Sequence, residues 1–196
     1  LLAQADERDA QLARGEWLGW MHGFPQAIKD LAATRGMRTT MGESMLVFAP
    51  HANSWRRFAN QSYAPVSTNW GVNNRSVALR IPAGALAARR IEHRPSGVDA
   101  NPYLVAATVL AAIRHGLKNK IDPGPETTGN GYEDDEASTI PRDWRAAIEA
   151  AQQSAFLKDA LGEDMHRTFT AVKAAEYARV ARTISDVDYD LYLHTV

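Results

Sequence analysis

Between Arg56 and Arg94 the chain carries seven arginines, at 56, 57, 75, 80, 89, 90 and 94, with no lysine and one acid, Glu92. That bias constrains the fold more than any other stretch. Arg presents a rigid fork of donors that fits carboxylate and phosphate oxygens two at a time, which Lys cannot do. In an extended strand successive side chains alternate faces. Arg90, Glu92 and Arg94 therefore fall in one row, with Ile91 and His93 opposite. A lone carboxylate flanked by guanidinium groups stays ionised, because neighbouring positive charge lowers its pKa. Such a group suits a hard cation such as Mg²⁺, with the arginines taking the anions that the cation serves. A salt-bridge ladder along an exposed strand explains the same triplet, and the triplet alone does not choose.

Composition narrows the class. At 196 residues, 45% hydrophobic and 23% charged, the chain suits one globular core without covalent staples. The net charge of −1 hides a local excess, since seven arginines against one acid leave this segment near +6. No cysteine means neither disulfides nor a thiolate metal site. No basic-then-apolar leader and no apolar run of ~18–20 residues are present, so the expectation is a cytoplasmic protein without a membrane partner. The chain opens at Leu1 straight into helical pattern, and reads as a piece of something longer.

Taken in order, residues 1–36 look helical and carry no assigned chemistry; His22 lacks a second ligand at metal-binding spacing. A helix is expected from Met41 to Ala49-Pro50, then a polar and aromatic loop from His51 to Phe58. Ala59 to Ser62 is small and polar, as a mobile flap would be, and Tyr63-Ala64-Pro65 closes it. Strands are expected over Val66–Trp70, Arg75–Pro82 and Arg90–Arg94, the last two as an antiparallel pair. Asn101 caps a helix with Pro102 at its first position, and Asp122-Pro123-Gly124-Pro125 stops it. Leu104 to Ile113 is apolar on nearly every face, which predicts a buried helix. Helices follow over Pro141–Gln153, Phe156–Leu161 and Glu163–Thr183, the last with Phe169, Val172 and Val180 as core contacts. Ser185 caps a final helix. The fold class is α+β, with antiparallel strands (about 66–94) packed with helices and a helical C-terminal part.

Three functions fit the arginine segment: a phosphoryl-transfer enzyme, a nucleic-acid module stacking bases on Trp55, Phe58, Tyr63 and Trp70, and a subunit interface. Scarce lysine and a near-neutral chain weigh against nucleic acid. Composition leaves the other two open.

The wording of the sequence goes further. Asn53-Ser-Trp-Arg-Arg-Phe58, Asn74-Arg-Ser-Val-Ala-Leu-Arg-Ile-Pro82, Arg89-Arg-Ile-Glu-His-Arg94 and Asn101-Pro-Tyr-Leu104 with Asn119-Lys-Ile-Asp-Pro-Gly124 resemble, in order and spacing, the C-terminal half of the glutamine synthetase catalytic domain. The resemblance covers about residues 40–196. The ending, Glu176-Tyr-Ala-Arg179 to Tyr192-Leu-His194, looks like the branch that includes γ-glutamylpolyamine synthetases. Residues 1–36 are set apart as an unassigned helical segment, and 37–196 as the C-terminal part of the catalytic domain.

The resemblance implies that ATP phosphorylates the γ-carboxylate of glutamate and that an amine or ammonia displaces the phosphate. Arg57 and Arg94 match arginines on the glutamate substrate. Arg75 matches the arginine at the transferring phosphoryl group, and Arg80 and Arg90 match arginines on nucleotide phosphates. Glu92 matches a ligand of a catalytic Mg²⁺ or Mn²⁺. Tyr63 stands where the ammonia-using branch carries a flap glutamate that attracts ammonium. A phenol with a pKa near ~10 is neutral at pH 7, which implies an amine with an organic tail. The family's other metal ligands precede the matched region, so this piece alone is expected to be inactive. The family's members form homo-oligomeric rings. Tyr132 lies near where some members carry a nucleotidylated tyrosine, but the loop differs and an exposed loop tyrosine is the expectation.

Overall fold

A layer of helices packs beside a short, strongly hydrogen-bonded strand region, the α+β architecture expected. The computed structural model describes residues 2–16, 37–58, 62–85, 90–134 and 139–194. Expectations for residues 17–36 (His22 included), for 59–61 of the flap and for Arg89 lie outside the described residues.

The opening helix is α1 (Leu2–Ala13). The next, α2 (Met37–Phe48), begins four residues before the expected start and ends just short of Pro50. Met41, Met45, Leu46, Val47 and Phe48 are all at most 3% exposed, so α2 is the centre of the core. The His51–Phe58 stretch, expected as a loop, contains a single helical turn, α3 (Ala52–Trp55). Trp55 anchors it by burying its ring and donating its indole N–H to the Ala49 carbonyl at 2.9 Å.

Three strands form one sheet: β1 (Trp70–Val72), β2 (Leu79–Ile81) and β3 (Glu92–His93). The expected antiparallel pair is β2–β3, with Arg80 opposite Glu92 and Leu79 opposite His93; β1 joins β2 parallel. β2 and β3 are shorter than the expected 75–82 and 90–94, and β1 is displaced: of the expected Val66–Trp70 only Trp70 belongs to it, and it runs on into the expected turn at Gly71 and Val72. Side-chain amides take over the backbone's partners there: Ala78 N–H donates to Asn69 Oδ1 at 3.1 Å, and Ser76 N–H to Asn74 Oδ1 at 2.9 Å. Local side-chain bonds of this kind compete with a regular ladder.

Next comes α4 (Pro102–Asn119). Asn101 caps it as expected, its side-chain oxygen accepting from the N–H groups of Tyr103 and Leu104. The helix stops at a left-handed Lys120, ahead of the Asp122-Pro123 signal. The expectation of burial on all faces is corrected: Tyr103 is 84% exposed, and Leu110 and Leu117 lie open beside it. Among the described residues only one face is covered, chiefly by α2 and by α6 (Ala155–Leu161).

In α5 (Trp144–Gln153) the start is set by Asp143, which caps Ala146 N–H at 2.8 Å, three residues past the expected Pro141. Trp144, Ala147, Ile148 and Ala151 form its buried stripe at helical spacing. It lies between α2 and α7 (Glu163–Arg182). Of the three core contacts expected for α7, one holds. Phe169 packs against the core, but Val172 and Val180 are about half exposed, and His166, Thr170 and Lys173 are buried instead. The difference is a rotation of the buried stripe: the ring of His166 turns inward to the Ala151 carbonyl at 2.7 Å. The last helix is α8 (Asp186–Tyr192), where Ser185 N–H meets Asp188 at 2.8 Å. Among the described residues no helix is long and apolar enough to cross a membrane.

Candidate active site

Glu92 is the hub. Its Oε2 accepts from Arg80 at 2.9 Å and its Oε1 from Arg94 at 3.0 Å. The first contact follows from strand pairing, because register sets Arg80 across from Glu92; the second follows from the two-residue period of β3. Partial burial pushes the Glu92 carboxyl up, but hydrogen bonds and charge from Arg80 and then Arg94 outweigh it and hold its pKa below the usual value. The row expected from sequence is thus half present. Arg94 joins Glu92, whereas Arg90 is exposed and has no ion-pair or hydrogen-bond partner among the described residues; Arg80 from the neighbouring strand takes the place expected for it.

Arg80 also donates to Asn73 Oδ1 at 2.7 Å, and Arg94 donates to the Tyr63 carbonyl at 2.5 Å. The Nε–H groups of Arg80 and Arg94 are buried without partners among the described residues. Arg57 forks onto the backbone beside Arg94, with one donor on the Arg94 carbonyl at 2.8 Å and another on the Pro95 carbonyl at 3.0 Å. Burial first, then the charge of Arg94, lowers the Arg57 pKa. Its approach is fixed by α3, which Ser54 and His51 tie to Asp99. Burial raises the Asp99 carboxyl; the Ser54 hydrogen bond, its own backbone N–H and His51 more than offset that and leave its pKa lowered.

Tyr63 sits at the rim, 68% exposed and with a left-handed backbone, φ 57°. That conformation costs a non-glycine residue roughly 1–2 kcal/mol. Arg75 is exposed and has no ion-pair or hydrogen-bond partner among the described residues. The site therefore draws Arg57, Arg80, Glu92, Arg94 and the Tyr63 backbone into one contiguous cluster, and leaves Arg75 and Arg90 outside its bonds. Tyr132 is corrected: it is half-buried, and its hydroxyl donates to the Ala64 carbonyl at 3.1 Å. Asn69, Asn73 and Asp99, which sequence reasoning passed over, order the site. The signal for Asn69 was an amide within a stretch expected to be a strand, where a side chain that replaces ladder bonds shortens that strand.

A divalent ion prefers six or more oxygen ligands at about 2.0–2.6 Å. Among the described residues no three His, Cys, Asp or Glu side chains gather to hold one. Both oxygens of Glu92 are engaged by guanidinium groups. The residues present do not fit a divalent ion by themselves.

Comparison with known proteins gives this geometry its context. The chain is 39% identical over 158 residues to the gamma-glutamylputrescine synthetase PuuA of Escherichia coli, an alignment covering 81% of this chain and 33% of that protein. It is 34% identical to the gamma-glutamylethanolamide synthetase GlnA4 of Streptomyces coelicolor, covering 94% and 36%, and 33% identical to a glutamine synthetase of Methanosarcina mazei, covering 81% and 37%. The chain spans about a third of the length of these relatives. A solved GmaS–ADP complex superposes with a TM-score of 0.72 at 25% identity, covering 89% of this chain and 41% of that one; ligand-free GmaS gives 0.74 at 26%. The sequence model of the glutamine synthetase catalytic domain matches residues 27–192. The chain belongs to the glutamine synthetase catalytic-domain family.

Proposed function

We infer that the full-length protein joins the γ-carboxylate of glutamate to a primary amine at the expense of ATP. A γ-carboxylate oxygen attacks the terminal phosphorus of ATP and ADP leaves. The amine nitrogen then attacks the acyl carbon of γ-glutamyl phosphate, loses a proton, and inorganic phosphate departs. Residues 37–196 form the C-terminal part of the catalytic domain in this reading, and 1–36 stand apart. The observation that carries it is the cluster of Arg57, Arg80, Glu92 and Arg94, in a chain whose family includes amine-using ligases.

Arg57 and Arg94 hold glutamate. Arg80 and Arg90 hold nucleotide phosphates, and the unspent charge of Arg75 meets the transferring phosphoryl group, where positioning and neutralisation do most of the catalytic work. Mg²⁺ or Mn²⁺, when bound, would neutralise phosphate charge; Glu92 would offer it one ligand only on giving up a guanidinium bond. Residues 1–196 alone are accordingly inactive, and the complete protein assembles as a homo-oligomer. Tyr63 favours an amine with an organic tail, because a neutral aromatic edge packs against carbon and provides no anionic ammonium site.

The second reading is ammonia-using glutamine synthesis, favoured by relatives such as that of Methanosarcina mazei. Phosphate release by the full-length protein, with glutamate, ATP and Mg²⁺ against ammonia, monoamines and diamines, decides between them. Faster turnover with an organic amine is expected. Equal or faster turnover with ammonia overturns the amine assignment, and no phosphate release with any acceptor overturns the ligase.

A further inference from the structure

The segment Ser62-Tyr63-Ala64-Pro65 borders the arginine cluster, and its backbone is held at two successive carbonyls by two different side chains. Arg94 donates to the Tyr63 carbonyl, and the Tyr132 hydroxyl to the Ala64 carbonyl. Between them Tyr63 adopts its left-handed backbone. Such a conformation persists only where its surroundings over-determine it. Here Ala64 and Pro65 are buried while the Tyr63 ring projects outward, so the two carbonyl contacts fix where that ring points.

Tyr132 is itself held from behind. It belongs to a short 3-10 turn, Gly131–Glu133. Asn69, 1% exposed, donates to the Gly131 carbonyl at 3.1 Å, and Gly131 N–H donates to Ser76 Oγ at 2.8 Å. Asn74 reaches the Thr127 carbonyl at 2.9 Å and the Gly129 carbonyl at 2.8 Å. The approach is close enough that a Cβ at Gly131 would lie 2.7 Å from the Ser76 carbonyl oxygen. The loop is therefore a fixed platform, and the Tyr132 hydroxyl connects it to the Tyr63 turn.

We propose that Tyr132 is a positioning residue, whose hydroxyl bond to the Ala64 carbonyl fixes the left-handed turn at Tyr63 and so the aromatic wall that the incoming amine meets. The hold on the turn stands on geometry; the amine as the group it faces rests on the proposed ligase reading. Tyr132 touches no reacting group. It acts through Ala64 and Tyr63.

The test is Tyr132→Phe in the full-length protein, which keeps the ring and removes only the donor. Amide hydrogen exchange over residues 63–66 should quicken about fivefold, the effect of losing one neutral hydrogen bond, while α5 and α7 exchange as before. The KM for the amine should rise by a similar factor, about fivefold, with the KM values for glutamate and ATP unchanged. Placing 4-aminophenylalanine at position 132, which restores a donor at the ring's end, should return both readouts towards the parent. Unchanged exchange at 63–66 overturns the proposal. So does general loosening that includes α5 and α7, since Tyr132 would then serve only the fold. If exchange quickens locally but the amine KM stays put, the role in acceptor placement is refuted. A wild-type protein that uses no organic amine defeats the amine assignment separately, and exchange alone then decides whether Tyr132 holds the turn.

Discussion

The helical layer and the strand region of this chain use their residues in opposite ways. Where α2, α5 and α6 meet, Met45, Leu46, Ala147, Ala151 and Leu157 are fully buried, and the contacts are mainly apolar, with one polar tie from Ser154 to Glu43 at 2.6 Å. Between residues 54 and 99 the contacts are forks and amides: Arg57 on two carbonyls, Arg80 and Arg94 on Glu92, Asn69 on Gly131. Burial stabilises by roughly 25 cal/mol per Å² of apolar surface, whereas partly exposed ion pairs contribute about 0–1 kcal/mol each. The helices can thus supply the stability while the strand region holds charge in place. Stability and chemistry should then separate under mutation.

Arg75→Ala gives the largest separation. Arg75 is exposed and unpartnered among the described residues, so the fold does not depend on it. An arginine aimed at phosphoryl charge is worth about 10³-fold or more in rate, so, under the proposed ligase reading, turnover of the full-length protein should fall by at least about that factor, or ~4 kcal/mol. Its melting temperature should stay within about a degree, since surface substitutions away from special features rarely shift stability by more than ~0.5 kcal/mol. A fall in melting temperature with turnover intact would reverse that division.

Leu157→Ala is the mirror image. The side chain is 0% exposed in α6, between α4 and α7. Truncating a buried leucine costs about 2–5 kcal/mol, read as a lower denaturant midpoint. The kinetic constants per folded molecule should not change. A selective rise in a substrate KM would show that the helical layer takes part in the chemistry.

His93 lies on the seam between the two regions. Its ring meets Phe48 of α2 edge-on at 4.3 Å, and its Nδ1 lies 3.0 Å from Ser96 Oγ. Burial, then the charge of Arg57, brings its pKa down from 6.5 to about 4. The folded pKa lies below the unfolded one, so the unfolded chain takes the proton first. This contribution is complete above pH 6.5 and is lost as pH falls towards 4, by at most about 3 kcal/mol. The outer surface of the residue is only half-buried, which makes that figure an upper bound. His93→Gln should flatten the decline in stability between pH 6.5 and 4; an unaltered slope assigns it to another group.

What the sequence made legible follows the same division. The helices over 102–119, 144–153, 155–161 and 163–182 could be read from period, and the first also from its cap, because Asn101 acts on N–H groups within its own turn; Asp143 and Ser154 cap in the same way but were passed over, so α5 was expected three residues early. Which face α7 buries was not legible, because His166 enters the core only through the Ala151 carbonyl fifteen residues away. Strand lengths failed for a related reason: Asn69 and Asn74 compete with the ladder through partners at 127–131. The arginine cluster was visible as composition, and its register was half visible. Arg94 next to Glu92 follows from a period of two, but Arg80 across from it depends on how β2 pairs with β3. Arg75 and Arg90 look the same as their neighbours in sequence and differ only in where the backbone leaves them.

The smallest effect tests the boundary itself. Asn101 lies where the strand region hands over to α4, and its exposed side chain accepts from Tyr103 N–H at 3.0 Å and Leu104 N–H at 3.3 Å. If the division holds, this residue is only a cap. Asn101→Ala should then cost about 1 kcal/mol, seen as a modest loss in chemical denaturation. Asn101→Asp should restore that loss, because a carboxylate caps equally well and meets the positive end of the helix dipole. Neither change should alter any KM. Asp99, two residues earlier, holds Ser54 and thereby the approach of Arg57, so a shifted glutamate KM in Asn101→Ala would mean that α4's first turn helps to set the arginine cluster. The boundary between stabilising and functional parts would then lie inside α4 rather than before it.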